Sequence, residues 1–257
     1  MKKKLRTVSI LLLAAIVIIC LGYTLLKLRD YRTGEQEYAN AEQLAQLPEE
    51  PEFVPEVGDP YAIALAETDL AALREVNSDV IGWISIPNTD VSYPLLQTND
   101  NNYYLKRTWN LTASSVGSIF LECQNAPDFS DFNTIIYGHN MRNGSMFGGL
   151  KQYKNSSYWE EHPSVYIVDD SGVHRYDIFA ASEVGVRTII YGLQITTRAL
   201  KQDFIDFSLK HSVLDTGIVP TYEDRVLTLS TCTGNGYSTR WVVQAVLAET
   251  TPLSAKD

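Results

Sequence analysis

Between Thr7 and Leu26 the chain runs for 20 residues without a charge, and Lys2, Lys3, Lys4 and Arg6 stand directly before that run. As a helix rising about 1.5 Å per residue it would reach about 30 Å, the thickness of a bilayer's hydrocarbon core. A cleaved leader needs a shorter apolar stretch and small residues at a cleavage site, whereas "YTLLKLRDYR" comes next here. Length and flanks favour a span over the buried helix of a soluble core. Lys27, Arg29 and Arg32 lie beyond the run, partly offset by Asp30. The four basic residues ahead of it still favour an inside tail and an exported body. The expected order is a tail at 1–6, an uncleaved single-pass anchor at 7–28, and everything else outside the membrane.

Charge divides the rest of the chain. Residues 33–60 hold eight acids and no base, with Pro48, Pro51, Pro55 and Pro60 among them. Acidic, proline-broken and short of apolar anchors, 29–60 reads as a linker or stalk, with a short helix near Glu42 to Leu47. The chain as a whole carries a formal charge of −10. An acidic exported body lacks the basic face that meets phosphate, so nucleic acid is not an expected partner. Residues 61–257 suit one domain with a sizeable core.

Strand signals dominate that domain. After a helical stretch, "ETDLAALREVNSDV", come eight β-branched or aromatic runs: "IGWISI", "VSYPLLQ", "SIFLE", "NTIIYG", "SVYIVD", "HRYDIFAASE", "RVLTLSTC" and "TRWVVQAVLAE". They predict a mostly antiparallel sandwich or barrel. "TTRALKQDFIDFSLKHS" has helical spacing at Leu200, Phe204 and Phe207 and lies between strands six and seven, while "SMFGGLKQY" and "SSYWEEH" suit short turns after strand four. Gly234 and Gly236 between the last two strands predict a hairpin, which sets Cys232 beside Arg240 at its mouth.

A cysteine is a nucleophile as thiolate, and a nearby cation favours that form. Arginine stays charged and also donates to an oxyanion. Pattern alone leaves two readings of Cys232 and Arg240 open: a packed thiol beside an edge charge, or a nucleophile with its electrostatic partner. Of the four histidines, His162 and His211 end helix-like segments and His174 opens a strand, whereas His139 comes after a strand end in "YGHNMRNG". Spacing does not bring it to Cys232. Outside the anchor the cysteines are Cys123 and Cys232, too few for a disulfide scaffold, although a single bridge between them stays open. No histidine or cysteine pair has metal-ligand spacing, and no cofactor motif is present.

"TLSTC" followed by Arg240, with "YGHN" upstream and a basic N-terminal anchor, resembles the sortases, the surface transpeptidases of Gram-positive bacteria. "LREVNSDVIGWISIPNTDVSYPLLQ", "VGSIFLECQN" and "NTIIYGHNMRNGSMFGGLKQY" make the likeness closest to class B. The resemblance implies an eight-stranded sortase-type β-barrel with an N-terminal helix and a helix inserted between strands 6 and 7, preceded by the transmembrane helix. It implies Cys232 as nucleophile, His139 as general acid/base and Arg240 as oxyanion-stabilising cation. It also implies substrate contacts at Leu96, Tyr137, Ser230, Ile190 and Tyr191. The implied partners are surface proteins with a C-terminal sorting motif, cut after threonine, and an amine acceptor from peptidoglycan. A pilin lysine is the alternative acceptor, and a non-enzymatic, membrane-tethered binding domain is the alternative to catalysis. Two departures stand out. The Cys232–Arg240 gap is short for class B, and Ser92 occupies a position where related enzymes carry Asn, so neither supports a simple transfer of that class's substrate motif.

Overall fold

The computed structural model describes residues 2–47, 58–234 and 236–253. Strands β1 (Val80–Ser85), β2 (Ser92–Leu96), β3 (Ile119–Leu121), β4 (Asn133–Tyr137), β5 (Ser164–Asp169), β6 (Gly172–Gly185), β7 (Val226–Cys232) and β8 (Thr239–Thr251) close a barrel in the order β1-β2-β3-β4-β7-β8-β6-β5. The eight strands and the barrel agree with the sequence expectation. So does the helix between β6 and β7. Two neighbouring pairs, β2–β3 and β4–β7, are parallel within the otherwise antiparallel sheet. Parallel neighbours need a crossover, and the chain from β4 to β7 supplies one by passing through β5, β6 and the inserted helix.

Side chains along a strand alternate between faces, and the two faces bury different partners. Leu227 and Leu229 of β7, with Val243 and Ala245 of β8, join Trp83, Leu95, Ile136 and Ile167 in the main core. Val226, Val242 and Val246 point the other way, into a second cluster with Phe132, Ile190, Phe204 and Ile205. That outer cluster exists because helix α5 (Arg198–His211) lays Phe204 and Ile205 on the barrel wall, its first turn capped by the Thr197 side chain on Leu200 N.

At the N-terminus α1 runs Lys2–Leu44, and the apolar side chains from Ile10 to Leu26 stand exposed. It is long and apolar enough to cross a membrane. The expected linker over 29–60 needs correction at its start, because the helix continues without a break through residues 33–44. The reason is a stripe: Tyr38, Ala41 and Ala45 are buried, three to four residues apart, and pack against the barrel. The proline-containing part, 48–57, lies outside the described residues. The domain then opens on α2 (Pro60–Leu65), with Asp59 Oδ1 accepting from Tyr61 N and Ala62 N and Pro60 in its first turn, and continues into α3 (Leu70–Val76). Between β4 and β5 lie a 3-10 turn, Gly148–Lys154, and the short α4 (Ser156–Glu161).

Candidate active site

Two strand ladders bring residues 139, 232 and 240 to the same end of the barrel. In the β7–β8 hairpin Cys232 pairs directly with Arg240, so both side chains leave the sheet on the same face. That face is the outer one, shared with Val226, Thr228 and Ser230. In the parallel β4–β7 ladder every partner is offset by the same amount, from Asn133↔Val226 to Tyr137↔Ser230. The same offset sets His139 level with Cys232. The pairing persists beyond the named strand: Gly138 N donates to Ser230 O at 3.2 Å, and Thr231 Oγ1 donates to Gly138 O at 2.7 Å. Cys232 is exposed, and His139 and Arg240 are partly exposed.

His139 Nε2 lies 2.8 Å from the carbonyl oxygen of Leu105. A carbonyl only accepts, so Nε2 carries a hydrogen and Nδ1 is left for proton transfer. Gly117 lies against the same edge of the ring. A Cβ there would stand 2.6 Å from His139 Cδ2, and the residue has a φ of +67°. Both features require glycine. Arg240 Nη1 donates to Tyr237 O at 3.1 Å and to Thr239 O at 2.8 Å, which leaves its Nη2 and Nε donors for a ligand.

The wall of the site runs along the outer face of β4 and β7. Ser230, buried, lies 2.8 Å from the phenol oxygen of Tyr191. Burial pushes the Tyr191 phenol up to about 12, the neighbouring Cys232 adding to the rise while the Ser230 hydrogen bond and Arg240 oppose it. It therefore stays neutral throughout the physiological range. Ile190 is buried against α5, and its carbonyl accepts from Asn133 Nδ2 at 2.9 Å. Asn133 Oδ1 in turn accepts from Thr228 Oγ1 at 2.7 Å, so a buried polar chain ties the β6–β7 connection to the wall. Tyr137 donates to Glu122 Oε2 at 2.9 Å, and Asn101 Nδ2 donates to the same oxygen at 2.7 Å.

Of the eight site residues expected from sequence, Cys232, His139, Arg240, Tyr137, Ser230 and Tyr191 gather here, with Ile190 behind them. Leu96 does not. It is 0% exposed in the barrel core, where β2 pairs with β3, and a side chain so placed has no access to a ligand. Leu105, 36% exposed, meets the site through its carbonyl, which bonds His139. Sequence reading missed it, along with Asn101 and Glu122. The loop 97–118 has no strand or long-helix period to place them. Glu122 and Cys123 could be suspected only from their proximity to a strand.

The 3-10 turn Gly148–Lys154 holds the hairpin mouth from behind. Lys151 Nζ donates to Thr233 O at 2.6 Å, and Trp241 Nε1 donates to Leu150 O at 2.8 Å. Cys123 and Cys232 are separate free thiols. Burial, and then the adjacent Glu122, push the Cys123 thiol above its ordinary value, away from the reactive form. Among the described residues no group of three histidines, cysteines or carboxylates is placed to hold a metal.

Residues 84–248 match the family model described as the sortase domain. A sortase B of Listeria monocytogenes is 35% identical over 166 residues, covering 64% of this chain and 67% of that protein. A sortase B of Staphylococcus aureus is 29% identical over 237 residues, 90% of this chain and 91% of that one. The structure of an S. aureus sortase B–substrate complex superposes with a TM-score of 0.67 at 28% identity, covering 70% of this chain and 85% of that one. Sortase B from B. anthracis in complex with AAEK1 gives 0.72 at 26% identity, over 86% and 99% respectively.

Proposed function

Because this chain belongs to the sortase family as a class B-like member, we propose that it is a membrane-anchored transpeptidase with Cys232 as nucleophile, cutting a C-terminal sorting motif after threonine and joining it to a peptidoglycan amine. The observation that supports the reading is the register that pairs Cys232 with Arg240 on one face and carries the β4–β7 ladder toward His139 at the same end of the barrel. An exposed thiol paired directly with an arginine is unlike a packed structural cysteine.

In this reading the sorting peptide lies along the outer face of β4 and β7, against Tyr137, Tyr191 and Leu105. With its proton held on His139 Nδ1, the Cys232 Sγ thiolate attacks the threonine carbonyl carbon, and the carbonyl electron pair moves onto oxygen. Arg240 donates to that oxygen through its remaining N–H groups, while its Nη1 stays fixed by the loop carbonyls. Collapse breaks the C–N bond, His139 Nδ1 gives its proton to the departing amine, and a thioester remains on Cys232. The incoming amine attacks the thioester carbon, His139 takes up its proton, and the thiolate leaves. The Leu105 carbonyl fixes the ring orientation throughout. The anchor supports a place on the cell membrane with the barrel outside, where such surface proteins and their acceptor meet.

The test is cleavage of a panel of sorting-motif peptides by the full chain, with Cys232→Ala and His139→Ala as comparisons. Both variants are expected to lose at least about 10³-fold in kcat/KM. Cleavage that survives Cys232→Ala would assign the activity to another group.

A further inference from the structure

Helix α1 does more than lead the anchor toward the barrel. One face of it, Asp30, Gly34, Tyr38, Ala41 and Ala45, meets the domain, and the upper part of that face lands on a single segment, 109–118. Asp30 Oδ1 accepts from Ser114 Oγ at 2.8 Å, and Lys27 Nζ donates to Ser115 Oγ at 3.0 Å. Gly34 lets the helix come so close to Val116 that a Cβ would lie 2.8 Å from its Cγ2. The carbonyl of Glu37 accepts from Trp109 Nε1 at 2.8 Å. Tyr38, 6% exposed, donates its hydroxyl to Gly117 O at 2.6 Å and lies 3.1 Å from Ser118 Oγ.

Gly117 is the residue packed on the His139 ring. Ser118 N, next along, donates to Tyr104 O at 3.0 Å, and Leu105 then presents the carbonyl that holds His139 Nε2. The segment that cradles the histidine therefore touches the ring on its inner side and the anchor helix on its outer side. From Leu26, the end of the uncharged run, to Tyr38 is about 18 Å along one unbroken helix.

We propose that Tyr38 is a positioning residue for His139, acting through the Gly117 carbonyl, so that the membrane-anchor helix is part of the catalytic scaffold and not only a tether. This rests on the reading of His139 as the acid/base. A tyrosine hydroxyl bonded to the backbone carbonyl of the residue against the ring fixes where the ring face stands. Removing it leaves Gly117 free to shift toward or away from the ring, and small displacements of an acid/base are costly in rate.

The test uses the full chain in detergent micelles, with Tyr38→Phe, which deletes only the hydroxyl, and Gly34→Leu, which wedges α1 from Val116 without touching Tyr38. Tyr166→Phe is the control, since its hydroxyl donates to Asp59 Oδ2 at 2.8 Å on β5, away from the site. Histidine ring carbons are followed by NMR, with His139→Gln to assign the signal, alongside peptide-cleavage kinetics. Expected for both α1 variants are a His139 titration midpoint moved by about 0.3 pH units or more and kcat lowered about five- to tenfold with KM within about twofold, while Tyr166→Phe changes neither. An unmoved His139 signal in Tyr38→Phe, or an equal shift in Tyr166→Phe, overturns the proposal. If the unaltered chain cleaves no sorting peptide, the functional reading fails, and the His139 titration still decides whether α1 reaches the ring.

Discussion

Cys232 stands where β7 ends and Arg240 where β8 begins, and the hairpin ladder faces them the same way. Replacing Arg240 by Lys keeps the charge but loses the planar fork whose Nη1 is already committed to two loop carbonyls. We expect kcat to fall about 10²-fold, the scale of one lost oxyanion donor, with KM little changed, as steady-state peptide cleavage would report. Gly117→Ala is expected to be as damaging for a different reason, since its Cβ would lie 2.6 Å from His139 Cδ2 and its backbone is left-handed. There iodoacetamide should still alkylate Cys232 while peptide turnover falls. The Cys232–Arg240 pair was legible in the sequence, because a hairpin is local and two glycines mark it. The neighbour relation of His139 to Cys232 was not. It depends on a parallel ladder between strands separated by half the domain, and only the family resemblance named the histidine. Leu96 came from the family resemblance alone, and the fold buries its side chain in the core where β2 pairs with β3.

Strands and their outer cover carry the next level. The wall at Ser230, Ile190 and Tyr191 is kept in place by α5, whose Phe204 is fully buried and meets Phe132 edge to face at 5.4 Å. Phe204→Ala should cost about 3–5 kcal/mol in chemical denaturation, and it should raise KM for the peptide because the connection bearing Tyr191 loses its support. The hairpin mouth has its own brace in Lys151. Lys151→Met removes a charged hydrogen bond to Thr233 O, and limited proteolysis should then cut within Thr233–Ser238 faster, about tenfold if the bond is worth the usual amount for a charged donor. The strands, the inserted helix and the hairpin were readable because β-branched runs and a helical apolar period mark them directly. The helical character of 33–44 was hidden by its acids. Small residues, Gly34, Ala41 and Ala45, make the packing stripe, and they carry little weight in a hydrophobic pattern.

Across the described residues, helix α1 packs on the barrel near the site, and the buried phenols give the molecule a characteristic response to alkali. Burial raises Tyr93 and Tyr191 to about 12 from an ordinary 10.0, and raises Tyr38 as well. A raised phenol in the folded state contributes stability that is fully present below the unfolded value and is lost as pH rises through the folded one. The melting temperature should therefore be insensitive to these groups up to about pH 10 and fall steeply from there to about pH 12. A decline beginning at about pH 8 would contradict that assignment. The central claim, that this barrel is a transpeptidase working through Cys232, is tested most directly by intact-mass and peptide-mapping spectrometry of the full chain after incubation with sorting-motif peptides. The account predicts a covalent acyl adduct on Cys232 that an added amine discharges. An adduct on Cys123, or none on Cys232 with any peptide that is cleaved, would contradict it.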